Sequence, residues 1–329
     1  MRALRYDGQH VLLDTRAPDP APERGEALVR PTRVAIGPAE VAICRGQIPF
    51  TGVLGSEFVG VVERVEGDDD ASLVGARVIC APTVVPPTCE LAKRGLPEHS
   101  PERTVLGLRG RDGALCDRVC VPAMNLAPIP PAIDDESAAM GVVLSRSLHL
   151  ARMVATETKP YITILGDNAI ALLAAQALHA INASVRVLGT REARFTLCEK
   201  WGIKHRHLDD AGRRFDQDVV LVCERTPAML DAAMGMIRPR GRVVLSGDPE
   251  PAPGVNEDLG IDAARLVEQE IRVMGARGGR PGDALRAMTS APRPFDLASL
   301  VTRRAKLDDA VGALRTASDP DALRVLIEI

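Results

Sequence analysis

The chain has 329 residues, 46% of them hydrophobic, which is enough to bury more than one core, so two domains are expected. A formal net charge of −3 and only short basic clusters, such as Arg213-Arg214, argue against a nucleic-acid or membrane-surface binder. No apolar run is long enough to cross a bilayer, and the first residues lack the apolar stretch of a signal peptide. We therefore expect a cytoplasmic protein, whose seven scattered cysteines are free thiols.

The N-terminal part reads as β-rich, because short apolar runs are separated by Gly, Pro and Asp turns as far as residue 126. Residues 81–103 are Pro-rich and without a period, which predicts a long loop. Further on, the acidic stretch Asp134-Asp135-Glu136-Ser137 precedes an apolar segment. This pattern predicts a capped helix over residues 138–154.

From Pro160 onward, predicted strands alternate with predicted helices, which is typical of a parallel, doubly wound sheet. The chain then returns to mixed structure and ends on a strand over residues 323–329. The fold class is therefore α/β, with boundaries near residues 126 and 277. The predicted strands are 162–165, 185–188, 219–222, 243–245 and 271–274, and the predicted helices are 169–181, 191–201 and 228–237.

One family resemblance runs over essentially the whole chain. Residues 46–62 read G-Q-I-P-F-T-G-V-L-G-S-E-F-V-G-V-V, and residues 104–107, 111–114 and 121–126 carry further motifs in order. This set resembles the medium-chain dehydrogenase/reductase superfamily, the group of zinc alcohol, sorbitol and threonine dehydrogenases. The resemblance implies a GroES-like β-barrel domain over 1–126, a Rossmann nucleotide-binding domain over 127–277, and a C-terminal return to the first domain over 278–329.

The catalytic zinc site of that family is altered at every position. Its zinc takes a thiolate, an imidazole and a third side chain, and it polarises the substrate oxygen. The matching positions hold Gly37, Ser56 and Val142 or a close neighbour, and Ala39 replaces the hydroxyl that relays a proton. Glycine, serine and valine cannot assemble a zinc site. Cys44 lies seven residues after Gly37 and reads as an ordinary buried thiol rather than as a replacement ligand.

The structural zinc site is altered as well. One thiol of four remains at its positions, which cannot close a tetrahedral site. We therefore predict no metal at either site. The four positions are Pro86, Cys89, Ala92 and Ser100.

The nucleotide turn departs from the G-x-G-x-x-G fingerprint that the resemblance implies after the first Rossmann strand. It reads Gly166-Asp167-Asn168-Ala169-Ile170-Ala171 and keeps only the first glycine. The Asn168 side chain is expected to point into the space of a pyrophosphate, and Asp167 to repel one unless its carboxylate points away. The candidate cofactor-binding residues of this turn are Gly166, Asp167, Asn168, Ala169 and Ile170.

The end of the second Rossmann strand lacks the carboxylate that binds the adenosine ribose of NAD. Thr190, Arg191 and Arg194 follow it and would suit a 2′-phosphate, so NADP(H) is favoured over NAD(H). The two arginines could equally form a solvated first helical turn. Arg324 aligns with a basic residue that relatives place near the pyrophosphate, or it is an exposed strand residue.

The candidate catalytic residues near the former metal site are Glu40, Ser56 and Glu57. A buried Glu57 could shuttle a proton, or it could be a structural carboxylate bonded to the backbone. Two functions stay open. One is a zinc-independent NADP(H)-linked oxidoreductase acting on a small carbonyl, enone or quinone. The other is a catalytically degenerate dehydrogenase homologue that acts as a binding or scaffold protein with a protein partner. Relatives imply a homodimer or homotetramer.

Overall fold

The computed structural model describes residues 1–67, 71–154, 159–247, 260–291 and 294–329. Parts of the predicted nucleotide-binding domain, 155–158 and 248–259, lie outside the described residues. The strands are β1 Ala3–Tyr6, β2 Val11–Asp14, β3 Glu26–Ile36, β4 Gly52–Val53, β5 Glu57–Val65, β6 Arg77–Cys80, β7 Thr83–Val84, β8 Thr104–Leu106, β9 Gly110–Arg111, β10 Val119–Pro122, β11 Leu126–Pro128, β12 Ile162–Leu165, β13 Val185–Gly189, β14 Lys204–His207, β15 Gln217–Val222, β16 Ile237–Leu245, β17 Arg272–Gly275, β18 Val301–Lys306 and β19 Arg324–Glu328. The α-helices are α1 Pro38–Cys44, α2 Glu90–Lys93, α3 Asp135–Ala139, α4 Gly141–Val154, α5 Ala169–His179, α6 Glu192–Lys200, α7 Pro227–Met236, α8 Ala263–Glu268, α9 Pro281–Ser290 and α10 Ala310–Ala317.

The chain divides into two compact units. The first comprises Met1–Val142, Arg280–Ser290 and Asp296–Ile329, and the second comprises Val143–Gly279 and Ala291–Phe295. The first unit thus extends beyond the predicted boundary at residue 126 and includes α3. The predicted helix 138–154 is divided into α3 and α4, which are separated by Met140. Among the described residues, no helix is both long and apolar enough to span a membrane.

The first unit is built around the long strand β3. Along the sheet the strands run β11-β6-β5-β3-β19-β18, and β10 also pairs with β3. Both β5 and β19 run antiparallel to β3, with Ala35 opposite Glu57 and Ile36 opposite Val325. The end of β3 therefore lies beside the starts of two other strands. Valine, leucine and isoleucine fill this core, since the chain has few aromatic residues.

The second unit contains a parallel sheet in the order β14-β13-β12-β15-β16-β17. This is the strand order 3-2-1-4-5-6 of doubly wound dinucleotide-binding folds, and it confirms the predicted α/β class. Each predicted strand of this sheet is present. Strand β14 was not predicted, because it lies at the edge of the sheet and its Lys-His-Arg-His sequence has no apolar period.

Candidate active site and nucleotide turn

A buried ion pair forms where β3, β5 and β19 meet. Nη1 of Arg324, at the start of β19, lies 3.3 Å from Oε2 of Glu57, at the start of β5, and both side chains are at most 3% exposed. The neighbouring Gly37 lies between β3 and α1, and a Cβ atom placed on it would lie 2.9 Å from Cζ of Arg324. The guanidinium therefore occupies the space into which a side chain at position 37 would extend. The alternative that Arg324 is an exposed strand residue is wrong.

Glu40 connects the same region to α1. Its Oε2 accepts a hydrogen bond from the Gly37 amide at 3.0 Å, as in a capping box. Its Oε1 accepts hydrogen bonds from the Ser56 amide at 3.1 Å and from the Ser56 hydroxyl at 2.9 Å. Glu40 is 1% exposed and Ser56 2% exposed. The structure thus brings the three predicted catalytic residues together, but as members of a buried hydrogen-bonded cluster.

This cluster does not fit a zinc ion. The expected thiolate position is glycine, and the neighbouring Arg324 brings a positive charge that would repel a cation. Ser56 already donates its hydroxyl to Glu40, and Val142 is 2% exposed within an apolar cluster. In the part of the chain that the structure describes, no group of three or more His, Cys, Asp or Glu side chains could hold a metal ion.

The thiols near the two former metal positions differ in their ionisation. Burial raises the pKa of Cys44 to about 11, and the nearby Glu40 carboxylate adds to the effect. Cys89, in the lobe of the former structural zinc, behaves in the opposite way. A hydrogen bond from Ser100 holds the pKa of Cys89 below its usual value, and the Ala92 amide adds to it. Cys44 is therefore protonated at neutral pH, whereas Cys89 is the more readily ionised of the two.

In the second unit, the nucleotide turn begins at Gly166, which has a φ of +110°. A Cβ atom there would lie 2.9 Å from Cγ of Glu224, so both the conformation and the space require glycine. Oε1 of Glu224 accepts a hydrogen bond from the Asp167 amide at 3.0 Å. Glu224 was not identified from the sequence. Its position two residues after the end of β15, next to the point where the strand order reverses, was the available signal.

The Asp167 carboxylate points away from α5 and towards the end of β13. Its Oδ2 accepts hydrogen bonds from the amides of Thr190 at 2.8 Å and Arg191 at 2.9 Å, and Asp167 is 1% exposed. A Cβ atom on Gly189 would lie 2.9 Å from Cβ of Asp167. The loop carboxylate thus lies beside the strand end that lacks a carboxylate of its own.

The Asn168 side chain is folded back onto the backbone. Its Oδ1 accepts a hydrogen bond from the Ala171 amide at 2.9 Å, which caps α5, and its Nδ2 donates to the Cys223 carbonyl at 2.8 Å. Asn168 is therefore the N-cap of α5, a position for which asparagine is among the preferred residues. Its expected conflict with a pyrophosphate stays a prediction.

Arg191 is held by two carboxylates rather than solvated. Its Nη1 forms ion pairs with Asp167 and, at 3.4 Å, with Glu224. Burial alone would lower its pKa, but the two carboxylates outweigh burial and hold the pKa of Arg191 above its usual value. Arg194 is 6% exposed, so the alternative of a fully solvated first turn does not describe either arginine. Arg191 thus brings one positive charge to the turn, and Asp167 and Glu224 bring two negative charges, so these three residues add no net positive charge there.

Two family models match this chain. The alcohol dehydrogenase GroES-like domain matches residues 23–131, and the zinc-binding dehydrogenase model matches residues 169–291. The chain belongs to the medium-chain dehydrogenase/reductase superfamily. This confirms the resemblance, including the GroES-like and Rossmann parts of the fold.

Curated members of this superfamily are similar at low identity. L-threonine 3-dehydrogenase from Photobacterium profundum is 24% identical over 88% of each chain. The starvation-sensing protein RspB from Escherichia coli is 26% identical over 83% of this chain and 86% of its own.

Solved structures are similar over the whole chain. RspB from E. coli, in complex with NADH, has a TM-score of 0.90 at 20% identity, covering 100% of this chain and 99% of its own. A Sinorhizobium meliloti protein bound to NADP has a TM-score of 0.88 at 20% identity with the same coverage. At this identity the likeness shows the shared fold.

Proposed function

We propose that this chain is a zinc-independent oxidoreductase that binds a nicotinamide dinucleotide and acts on a small carbonyl, enone or quinone. The observation that carries the zinc-independent part is the Arg324 guanidinium beside Gly37. It gives the former metal position a fixed positive charge that needs no metal ion. Glu57 balances this charge at 3.3 Å, and Glu40 holds the adjoining backbone of Gly37 and Ser56.

The nucleotide turn supports a bound dinucleotide in three respects. Gly166 supplies the left-handed turn, the Asp167 carboxylate points away from α5, and Asn168 is folded onto the helix it caps. The N-terminus of α5, with the amides of Ala169 and Ile170 in its first turn, then faces the position of a pyrophosphate. A bound dinucleotide supplies the hydride, and the residues named here would bind it and orient it.

The preference between the two dinucleotides is weaker than the sequence suggested. Thr190 and Arg191 follow β13, but the Arg191 charge is already paired with Asp167 and Glu224. A 2′-phosphate would therefore gain little from Arg191. We propose that NADP(H) and NAD(H) both bind, with dissociation constants within about tenfold of each other, a difference of about 1.4 kcal/mol.

The second candidate function is a degenerate homologue that acts as a binding or scaffold protein. The observation that favours it is that Glu40 and Ser56 bond to each other, which leaves the Ser56 hydroxyl committed as a donor. Under this alternative the fold would bind a protein partner and no dinucleotide would turn over. Adding a dinucleotide to the purified chain separates the two candidates, because only the first predicts that it binds and turns over.

The experiment combines three measurements on the purified chain. Elemental analysis should find zinc far below one equivalent, and a full equivalent would overturn the zinc-independent proposal. The melting temperature should rise with NADPH and with NADH, because a ligand at about 100 times its dissociation constant stabilises the folded state by about 2.7 kcal/mol. When quinone or enone acceptors are then added, the absorbance of the reduced dinucleotide at 340 nm should fall as it is oxidised. Absence of any melting shift at millimolar dinucleotide would leave the scaffold alternative.

The proposed homodimer or homotetramer is tested by light scattering on the same sample. A monomer at micromolar concentration would overturn it.

A further inference from the structure

We propose that the second unit carries an anion-binding groove for a small molecule with two or more phosphate groups. The groove has a volume of about 610 Å³ and lies at the β14 edge of the parallel sheet. Ligand sites for small molecules span roughly 300–1,000 Å³, so the groove is larger than one phosphate needs. Its charged lining residues are Arg186, Lys204, Arg206, Arg214 and Asp216.

The lining brings four cations together with one carboxylate. Lys204 is paired in register with Arg186, and Arg206 lies two residues further along the same edge strand, so these side chains share one face of the sheet. Arg214 approaches from the segment before β15. Within the described part of the chain, none of the four forms an ion pair with a carboxylate. Asp216 is the one carboxylate among the lining residues, so positive charge is in excess in the groove, which favours a bound anion.

A chain of hydrogen bonds fixes Arg186 from behind. Its Nε donates to the Thr163 hydroxyl at 2.8 Å, Thr163 donates to Oε1 of Gln217 at 2.7 Å, and Nε2 of Gln217 donates to Asp216 at 2.7 Å. Thr163 is 0% exposed and Gln217 is 7% exposed. Buried polar side chains in a parallel sheet are costly unless they are fully bonded. Here they orient a guanidinium towards the groove, as expected of a built site.

The segment beside the groove contains a strained residue. Phe215 has a φ of +52°, a left-handed conformation that is strained for a residue other than glycine. Its ring contacts the Arg265 guanidinium, 4.7 Å from the ring centre, and is not among the groove's lining residues. The neighbouring Arg214 and Asp216 both line the groove. Strain is therefore stored where the chain presents Arg214 to the groove.

The groove is separate from the proposed dinucleotide turn. Arg186 is the second residue of β13, and Gly189 ends that strand beside Asp167, about 10 Å further along. Asp216 lies before the start of β15, at the opposite end of the sheet from Glu224. A failure of the dinucleotide proposal therefore leaves this inference unaffected.

The chemistry favours a phosphate compound of low molecular weight. Planar guanidinium groups bind phosphate oxygens in a bidentate manner, and Lys204 adds a point charge. Among the lining residues the one aromatic ring is the His205 imidazole, which is already stacked against Phe195 with ring centroids 5.0 Å apart. The groove therefore lacks the row of aromatic side chains on which successive unpaired bases stack. The net charge of the chain is −3, which opposes general attraction of a nucleic-acid backbone.

The test uses inorganic tripolyphosphate as the probe, with isothermal titration calorimetry on the full chain. We expect saturable binding, weaker binding of orthophosphate, and binding of citrate at least tenfold weaker than that of tripolyphosphate. Lys204→Met and Arg214→Met should each weaken tripolyphosphate binding at least threefold, and together at least tenfold. Arg272→Met, which removes an exposed charge from the opposite edge strand β17, should change it less than twofold.

Three outcomes would overturn the proposal. One is equal binding to the wild type and the Lys204→Met/Arg214→Met variant, with both melting at the same temperature. Another is binding of citrate as tight as that of tripolyphosphate. The third is tighter binding of a single-stranded oligonucleotide than of tripolyphosphate to the wild type, together with weaker binding of that oligonucleotide to the Lys204→Met/Arg214→Met variant. Because Lys204 is exposed, its single variant tests the groove even if the others fail to fold.

Discussion

The Arg324 guanidinium occupies the space that a side chain on Gly37 would need. A Cβ atom at position 37 would lie 2.9 Å from Cζ of Arg324, and Arg324 is paired with Glu57 at 3.3 Å. The position from which relatives direct a zinc-binding thiolate thus faces a fixed cation. A thiolate side chain at position 37 and the Arg324 guanidinium would compete for one volume.

Gly37→Ala should destabilise the chain by about 1–3 kcal/mol, because the added methyl group overlaps a buried guanidinium. The measurement is the urea unfolding midpoint. Gly312→Ala is the control, since a Cβ atom at that position in α10 meets nothing within 4 Å. The control should be neutral or more stable than wild type. Equal midpoints for wild type and Gly37→Ala would contradict the overlap.

Arg324→Met should cost about 3–5 kcal/mol, because it removes the cation that faces the buried Glu57 carboxylate. The double variant Arg324→Met/Glu57→Leu should recover most of this loss. Glu328→Gln, on the same strand, removes an exposed partner of Arg33 at 3.5 Å and should cost less than about 1 kcal/mol. Chemical denaturation of all three variants measures their free energies of unfolding and checks this order of stability losses. A double variant less stable than Arg324→Met would argue against the ion pair as the reason for the loss.

Gly189→Ala should destabilise the second unit by about 1–3 kcal/mol, because its Cβ atom would displace the Asp167 carboxylate from the Thr190 and Arg191 amides. Gly275→Ala is the matched control, because a Cβ atom there meets nothing within 4 Å. Thermal unfolding monitors both variants. The interpretation fails if both variants melt together with the wild type.

Cys89 should react with a thiol reagent before the other cysteines at pH 7.5. The Ser100 hydroxyl holds the pKa of Cys89 below its usual value, whereas burial raises the pKa of Cys44 to about 11 and of Cys198 to about 12. Thiolate, not thiol, is the reactive form. Mass spectrometry after brief iodoacetamide treatment should locate the first adduct on Cys89. Cys89→Ser should remove the fast phase, and a fast phase that persists would contradict the assignment.

The Asp134 side chain caps α3, and its contribution to the free energy of unfolding should be lost in acid. Burial alone would raise the pKa of Asp134, but hydrogen bonds from the Ser137 amide and hydroxyl outweigh it and hold the pKa below its usual value. A lowered folded-state pKa gives stability that is present above about pH 4 and lost as the pH falls through the folded value. Asp134→Ala should therefore cost about 1 kcal/mol at pH 7 and progressively less as the pH falls below about 4.

Asp134→Asn serves as the control for this prediction. Asparagine also caps helices, and its amide does not titrate, so its contribution should be the same at both pH values. Denaturation at the two pH values compares the variants. A cost of Asp134→Ala that does not change with pH would contradict the role of the carboxylate charge.

The amino-acid sequence by itself determined the superfamily, the α/β class and the central strands of the parallel sheet. Those strands are apolar because they are buried on both faces, so local composition is enough to find them. The altered positions at Gly37, Ser56 and Pro86 were equally readable, since each holds a residue type that cannot bind zinc where the family resemblance implies a ligand.

The tertiary structure decided which groups satisfy one another. Arg324 is 267 positions from Glu57 along the chain, and only the antiparallel pairing of β3 with β5 and β19 brings them together. The contact of the Asp167 carboxylate with the end of β13 likewise depends on the tertiary structure, because its hydrogen-bond donors follow a different strand. The exposed edge strand β14 carries no apolar signal, so its groove became visible only when the sheet set Lys204 beside Arg186. Local preferences fix elements, whereas ion pairs between distant residues depend on the register of the sheet.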